Sequence, residues 1–526
     1  VLTAPIHLIR LARVGFVLAR EGAFGLVDEV AIPAGLRLSV RLARLVERRG
    51  GNPGAGLAQA MTRLGPSYVK FGQFLATRPD IVGVRVASGL EALQDRMAPF
   101  PRAQAISMME AALDKRVDEL FSEFGESVAA ASIAQVHKGC LTAGGEARLV
   151  AVKVLRPGIE PRFKRDLADM RFGARLIERI APAMRRLRLT AVVETLARSV
   201  AIEMDLRLEA AALSEFAENT KDDPDFRVPS VDWEHTAKEV LTLEWIDGVP
   251  LSQIAEIEAA GHDRVALARI VIQTFLRQAL GSGFFHADMH QGNLFVDARG
   301  RLVAVDFGIM GRLGEKERRF LAEILYGFIT RDYRRVAEVH FEAGYVPHTH
   351  AIGDFAQALR AIGEPIHQRR ADQISMAKLL SLLFEVTALF DMKTRTELVM
   401  LQKTMVVVEG VGRMLDPKLD MWKTADPVVR EWITRHLGPA GRLEQAALGL
   451  QSLVSAAGKL PDLVTRAERA LARFDPPELP GEFPAGGLPI DEASIEAIGR
   501  AEARGSRVWY VALWVIAALL AFHFFL

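Results

Sequence analysis

The sequence predicts an α+β protein of two lobes, with a helical extension before them and one hydrophobic helix after them. Three observations predict it. Alternating and β-branched runs are confined to the stretch from about 127 to 246 and to two short places near 294–296 and 303–305, while the rest of the body reads as helix. At 526 residues the chain is too long for one ordinary core. Its last segment, 508–526, holds no Asp, Glu, Lys or Arg.

Composition narrows the function classes. Hydrophobic residues make up 50% and charged residues 25%, as in a globular protein. Lys+Arg (66) and Asp+Glu (65) nearly cancel to a net charge of +1, which argues against a bulk electrostatic nucleic-acid binder. Cys140 is the single cysteine, so no internal disulfide forms, and no Cys/His cluster has zinc spacing. A reducing, cytosolic setting fits. Arg10, Arg13 and Arg20 are threaded through the first apolar residues, unlike a secretory signal.

The elements follow in order. Residues 1–125 form the extension. Two basic amphipathic stretches, 7–20 and 36–49, open it; in the second, Arg37, Arg41, Arg44 and Arg48 lie opposite Leu38, Leu42 and Leu45. Such stretches either pack on the body with Arg toward water or touch anionic lipid. Residues 65–120 read as helices broken at Pro79, Pro99 and Pro101. The first lobe, 126–250, holds expected strands at 133–136, 149–155 and 240–246 around a charged helical stretch, 167–220. The second lobe, 251–473, is mainly helical. Residues 474–507 begin with Pro476, Pro477, Pro480, Pro484 and Pro489, a linker composition. Residues 508–526 would span roughly 28 Å as a helix, about the hydrocarbon thickness. Trp509 and Tyr510 stand at its start, and Arg500, Arg504 and Arg507 precede it. The expectation is a single-pass C-terminal transmembrane helix with the body on the cytoplasmic side.

The strongest chemical signal is His286-Ala287-Asp288-Met289-His290-Gln291-Gly292-Asn293, followed by Asp306-Phe307-Gly308. Asp288 and Asn293 have the spacing of a protein-kinase catalytic loop, and the second triplet is the kinase D-F-G. Two oxygen ligands from different loops, Asn293 and Asp306, suit Mg²⁺ held against the phosphates of ATP, and Asp288 can orient or deprotonate a nucleophile. The two-lobed fold is therefore expected to be protein-kinase-like.

The first lobe agrees. Val150-Ala151-Val152-Lys153 reads as the strand whose lysine meets the α- and β-phosphates, and a helical acid should steady that lysine. Glu203 and Glu209 both qualify, with Glu194 as a third candidate. Leu241-Thr242-Leu243-Glu244-Trp245-Ile246 reads as the strand and hinge beside the adenine, with Glu244 and Ile246 offering backbone groups. Before the lysine strand a conventional kinase has a glycine-rich loop. Here Ala129, Ala130, Ala131 and Ser132 stand in that place, and alanine enters positive φ less easily.

These features resemble the UbiB/ADCK family of atypical kinases, which includes bacterial proteins of ubiquinone biosynthesis. The resemblance covers about 65–422. Its most specific mark is Lys70-Phe71-Gly72-Gln73, similar to the family's K-x-G-Q motif, together with the alanine-rich loop and Glu203-Met204-Asp205, similar to its E-x-D motif. Glu409-Gly410-Val411-Gly412-Arg413-Met414-Leu415-Asp416-Pro417 also looks like a family signature. The resemblance implies that Lys70, Gly72 and Gln73 lie across the mouth of the site, that Glu203 and Asp205 lie near it, and that Glu209 pairs with Lys153. It implies a membrane-anchored ATPase-like enzyme using ATP and Mg²⁺, held at the bacterial inner membrane. Membrane lipid and either ubiquinone-biosynthetic enzymes or prenylated phenol precursors would be its partners. Bacterial members end in two membrane helices, against the one expected here. Two alternatives stand beside this: a true protein or small-molecule kinase acting on a ubiquinone-biosynthetic monooxygenase, and a non-catalytic nucleotide-sensing scaffold. The hydroxylase activity sometimes attached to the family finds no flavin, haem or iron-ligand pattern in the sequence.

Overall fold

Residues 4–23, 53–76, 84–91, 97–143, 146–180, 187–367 and 396–438, with a few short pieces between them, are described by a computed structural model. They fall in one unit, 1–444; the other, 445–526, lies outside the described residues. The expected linker and the segment 508–526 are in that second unit, and nearly all of the basic stretch 36–49 is likewise outside the description. Among the described residues no helix is long and apolar enough to cross a membrane.

The extension is helical: α1 Ala4–Arg20, α2 Pro53–Leu64, α3 Pro66–Ala76, α4 Val84–Glu91, α5 Arg102–Leu113 and α6 Val117–Leu120. Pro101 occupies the N-cap of α5, where a missing N–H costs nothing. Gly72 lets α2, α3 and α4 pack closely: a Cβ there would stand 2.4 Å from Leu93 Cδ1.

The first lobe is a five-stranded antiparallel sheet in the order β1-β2-β3-β6-β5. Its strands are β1 Glu123–Ala130, β2 Ala134–Ala143, β3 Glu146–Leu155, β5 Val231–Ala237 and β6 Val240–Glu244, with the two-residue β4 Phe226–Arg227 belonging to another sheet. Alternation along β3 sets the chemistry. Val150, Val152 and Val154 are fully buried on one face, against Ala105 and Met109 of α5. Each such valine contributes about 1.5–3 kcal/mol. The period of two therefore turns Lys153 to the opposite face.

The charged helical stretch expected at 167–220 starts earlier and comprises three helices: α7 Ile159–Ile180, α8 Leu189–Glu203 and α9 Leu206–Thr220. The second break has a clear cause. Asp205 takes an extended conformation and caps α9 by accepting from Arg207 N at 3.2 Å.

The second lobe is built on α11 Arg264–Leu280, which follows β7 Gly248–Pro250 and α10 Ile254–Ala259 and is capped by Asp263. Short strands β8 Phe284–His286, β9 Leu294–Asp297, β10 Leu302–Ala304 and β11 Met310–Arg312 carry the loops. Then come α12 Glu315–Thr330, α13 Tyr333–Glu342, α14 Ile352–His367, α15 Thr396–Leu415 and α16 Met421–Leu437. The strands expected at 294–296 and 303–305 are β9 and β10, paired antiparallel with Val303 opposite Phe295. Helix α15 is tied to the loop after β8 by Thr404 Oγ1, which donates to Ala287 O at 2.9 Å.

Candidate active site

Strands β8 and β9 hold the ends of the loop 287–293. His286 is fully buried and orders it: Nδ1 accepts from Asp288 N at 3.1 Å, and Nε2 donates to Val305 O at 3.2 Å. This bonding is that of a neutral imidazole protonated at Nε2, and burial pushes its pKa down. Asn293 Nδ2 donates to Asp288 O at 3.1 Å, which leaves the amide's Oδ1 as its acceptor end. The Asp288 side chain is 31% exposed, with His290 Nε2 at 3.8 Å.

Asp306 follows β10 in a left-handed conformation, φ 62°. Behind it Phe307 is buried, with ring centroids 5.1 Å from His286 and 5.4 Å from Phe216 of α9. The same α9 carries Glu209. One helix therefore supports both the D-F-G phenylalanine and the acid that meets the lysine.

Lys153 joins the parts. Its Nζ lies 2.8 and 3.0 Å from the two Glu209 oxygens and 2.9 Å from Asp306 Oδ1. Burial works against the ammonium, but the charges and hydrogen bonds of Asp306 and Glu209 outweigh it and raise the lysine pKa. The Lys153 charge holds the Asp306 carboxyl well below the usual range, and Lys70 adds to that pull. Burial pushes Glu209 up, against the opposing pull of Lys153. Of the three candidate acids, then, Glu209 is the one at Lys153. Glu203 pairs with Lys70 instead, at 2.6 Å, and Glu194 pairs with Arg171 at 2.8 Å.

The extension reaches this centre through α3. Lys70 is 11% exposed in its ion pair with Glu203, and its charge is felt at Asp306. Gln73 is half-buried on the same helix. Asp205, the second acid of the E-x-D pattern, is engaged with Arg207 at 2.7 and 2.9 Å besides capping α9.

Ala129 and Ala130 end β1, and Ala131, Ser132 and Ile133 form the turn into β2. The turn is clasped from outside. Met97 N donates to Ala130 O at 3.1 Å, and Arg156 Nε donates to Ala131 O at 2.9 Å while its other end reaches Ala98 O at 2.9 Å. Gln135 is buried beneath: its side chain accepts from Phe100 N at 2.9 Å and donates to Phe100 O at 3.2 Å, like a short piece of strand. Gln135 also donates to His137 Nε2 at 2.8 Å, and His137 Nδ1 donates to Gly125 O at 3.0 Å. Sequence reasoning passed over Gln135, His137 and Arg156. The available signal was two polar residues in a strand whose neighbours are apolar.

At the expected hinge, the Glu244 carboxylate is turned to Arg227 at 2.8 Å and accepts from Ser230 N at 3.1 Å. Its own amide donates to Ser230 O and that of Trp245 to Leu149 O. Both amides are committed within the lobe, so the first-lobe chain beyond them begins at Ile246.

Comparison with known proteins meets this geometry. Residues 92–340 match the ABC1 atypical kinase-like domain and residues 359–420 the UbiB helical domain. A probable protein kinase UbiB from Marinobacter nauticus is 38% identical over 479 residues, which is 90% of this chain and 87% of that one. The chain belongs to the UbiB family of atypical kinases. The mixed α+β fold is thus the kinase-like fold of the UbiB family, and its second lobe carries the UbiB helical domain. Among solved structures, that of Rv3197 with erythromycin from Mycobacterium tuberculosis superposes with a TM-score of 0.46 and 22% identity, over 75% of this chain and 98% of that one.

Proposed function

We propose that this UbiB-family chain binds ATP with Mg²⁺ between its lobes and hydrolyses it in support of ubiquinone biosynthesis. The observation that carries the reading is the Lys153 centre, with Nζ within 3.0 Å of both Glu209 oxygens and of Asp306. One lysine between two carboxylates, with the Asp306 side chain 49% exposed, leaves a net negative, open-sided centre suited to receive a cation beside phosphate. The donors fit the ion: Asp306 and the free acceptor end of Asn293 are hard oxygens, suited to Mg²⁺. The cation would neutralise phosphate charge. Lys153 would contact the α- and β-phosphates, the Ala131–Ile133 turn would cover them, and the adenine would lie beside Ile246. Asp288 would orient the attacking oxygen. Lys70 and Gln73 would gate the mouth of the site, with Glu203 holding Lys70. The similarity to the Marinobacter relative, a probable protein kinase, supports phosphate chemistry.

A second reading, phosphotransfer to a protein or small-molecule acceptor, is favoured by the partial exposure of Asp288. The two separate in one experiment. Purified full chain is given ATP with and without membrane and a prenylated phenol, and free phosphate and phosphorylated product are both followed. Free phosphate alone supports hydrolysis. A phosphorylated acceptor overturns it in favour of transfer, and MgATP binding with neither product leaves the nucleotide-sensing scaffold. Lys70→Ala tests the gate: it should change the turnover rate while leaving thermal stability near that of the parent chain.

Membrane attachment through 508–526 belongs to the same proposal, supported by its charge-free length and its arginine flank. Helix α1 supports a second contact, because Ile6, Ile9 and Phe16 are exposed beside Arg10 and Arg13. A chain lacking 508–526 should leave the membrane fraction and keep its MgATP-induced thermal shift. Full retention in the membrane would move the anchoring role to the amino-terminal helices.

A further inference from the structure

At the far end of α8 from Glu203 the surface opens into a cavity of about 600 Å³. Four arginines line it: Arg175 and Arg179 from the last two turns of α7, and Arg185 and Arg188 from the reversal into α8. Two acids share the lining, and both are occupied. Glu178 accepts from Thr190 N at 2.9 Å and from Thr190 Oγ1 at 2.8 Å. Glu194 is gripped by Arg171 through two hydrogen bonds, at 2.8 and 3.1 Å. Both carboxyls are held below their usual pKa by these partners and are ionised.

The arginines are not accounted for in the same way. Arg185 donates only to a backbone oxygen, Glu178 O, at 2.8 Å. Among the described residues the guanidinium groups of Arg179 and Arg188 make no side-chain hydrogen bond or ion pair, and that of Arg175 acts only through space, on Glu194. Arg175 and Arg179 are like charges one turn apart on a helix, an arrangement that disfavours it. Arg188 sits in the left-handed region, φ 48°, at the N-cap of α8, where its side chain caps nothing. An arginine rarely adopts that conformation, and strain of this kind collects where a ligand repays it. The cavity thus carries two positive charges more than negative, in planar forks that match tetrahedral oxyanions.

We infer that the α7–α8 cavity is a binding site for a phosphate group, remote from the Lys153 centre. Fifteen helical residues separate Arg188 from Glu203, about 22 Å at the rise of an α-helix. The ligand is a phosphate monoester or diester. Ile180, exposed at the end of α7 next to Arg179, would meet the apolar carbon that accompanies a lipid phosphate, whereas a free phosphate needs only the guanidinium forks.

The test uses the full chain in non-ionic detergent and isothermal titration calorimetry. One arm titrates inorganic phosphate, the other glycerophosphoglycerol, the water-soluble headgroup of phosphatidylglycerol. The parent chain should bind at least one of them. A variant with Arg175→Gln, Arg179→Gln and Arg188→Gln should bind about tenfold more weakly or not at all, as loss of charge-assisted bonds requires. The same three positions changed to Lys should recover part of the affinity. The MgATP-induced thermal shift, which reads the Lys153 centre and shows the variant is folded, should be unchanged. Tighter binding of the headgroup identifies a lipid phosphate, and tighter binding of inorganic phosphate a soluble one. Absence of binding in both arms, or affinities that the Gln variant leaves intact, overturns the assignment.

Discussion

Two loops, 287–293 in the second lobe and Ala131–Ile133 in the first, are held in opposite ways. The loop 287–293 is fixed from within its own lobe: His286 bridges Asp288 N to Val305 O, Asn293 closes onto Asp288 O, and Thr404 of α15 braces Ala287 O. The Ala131–Ile133 turn is tied to the extension, by Met97 on Ala130 O, by Arg156 bridging Ala131 O to Ala98 O, and by Gln135 of β2 holding Phe100. The first kind of support comes from side chains of the same lobe, one of them 117 residues away, and survives as long as that lobe folds. The second depends on the extension staying docked. A glycine turn can mould itself to phosphate, whereas an alanine turn must be held in shape by its neighbours.

The largest effect is expected at Asp306, next to the Val305 carbonyl that His286 holds. Asp306→Asn should abolish the thermal shift caused by MgATP while the chain stays folded, and a full shift in the variant would remove Asp306 from the metal role. Next comes the partner of Lys153. Glu209→Gln should destabilise the chain by something below the ~3–5 kcal/mol of breaking an isolated buried ion pair, because Asp306 still holds Lys153. Urea unfolding measures it, and an unchanged midpoint would mean the pair contributes nothing net.

The second loop should break more gently. Gln135→Leu leaves Phe100 N and O without their partners and should cost about 1–3 kcal/mol in urea unfolding. Its signature is local. Hydrogen exchange at residues 97–100 and 130–134 should quicken while exchange in α11 stays slow; uniform quickening would show that the clasp is not a separate support. The smallest effect concerns pH. His286 is neutral in the fold with its pKa pushed down, so between that lowered value and about 6.5 the unfolded chain binds the extra proton. Stability is therefore full above about 6.5 and falls as pH drops through that window. His286→Gln, which keeps the donor to Val305, should flatten this slope, and equal slopes for both chains would assign the titration elsewhere.

What could be read from the sequence divides along the same line. Asp288, Asn293, Asp306 and Lys153 were legible because the chemistry fixes their spacing and each sits beside a short apolar strand. The partner of Lys153 was not legible from spacing, since Glu194, Glu203 and Glu209 all lie on helical stretches. What separates them is the break capped by Asp205, which sends Glu203 to Lys70 and Glu209 to Lys153. Strand β1, Glu123–Ala130, was not read as a strand, and its end was taken for loop, because two register shifts against β2 spoil its alternation. Gln135 and Arg156 were invisible because they act on backbone atoms of residues 58 positions away or fewer, which carry no side-chain pattern. The hinge was read from strand pattern alone, which could not show that Glu244 would be spent on Arg227.

The left-handed backbone at Asp306 has a further consequence. A residue other than glycine held at φ 62° carries a conformational cost of order 1–3 kcal/mol, and asparagine tolerates that region far better than alanine. The choice of replacement therefore works as an internal control. Asn removes the charge and keeps a side chain at ease with the local geometry, so whatever stability it loses or gains is electrostatic. Ala removes the charge and adds torsional discomfort. The difference in unfolding free energy between the two variants then contains the backbone strain at Asp306 together with the loss of an oxygen facing Lys153, obtained without nucleotide, metal or substrate in the cuvette.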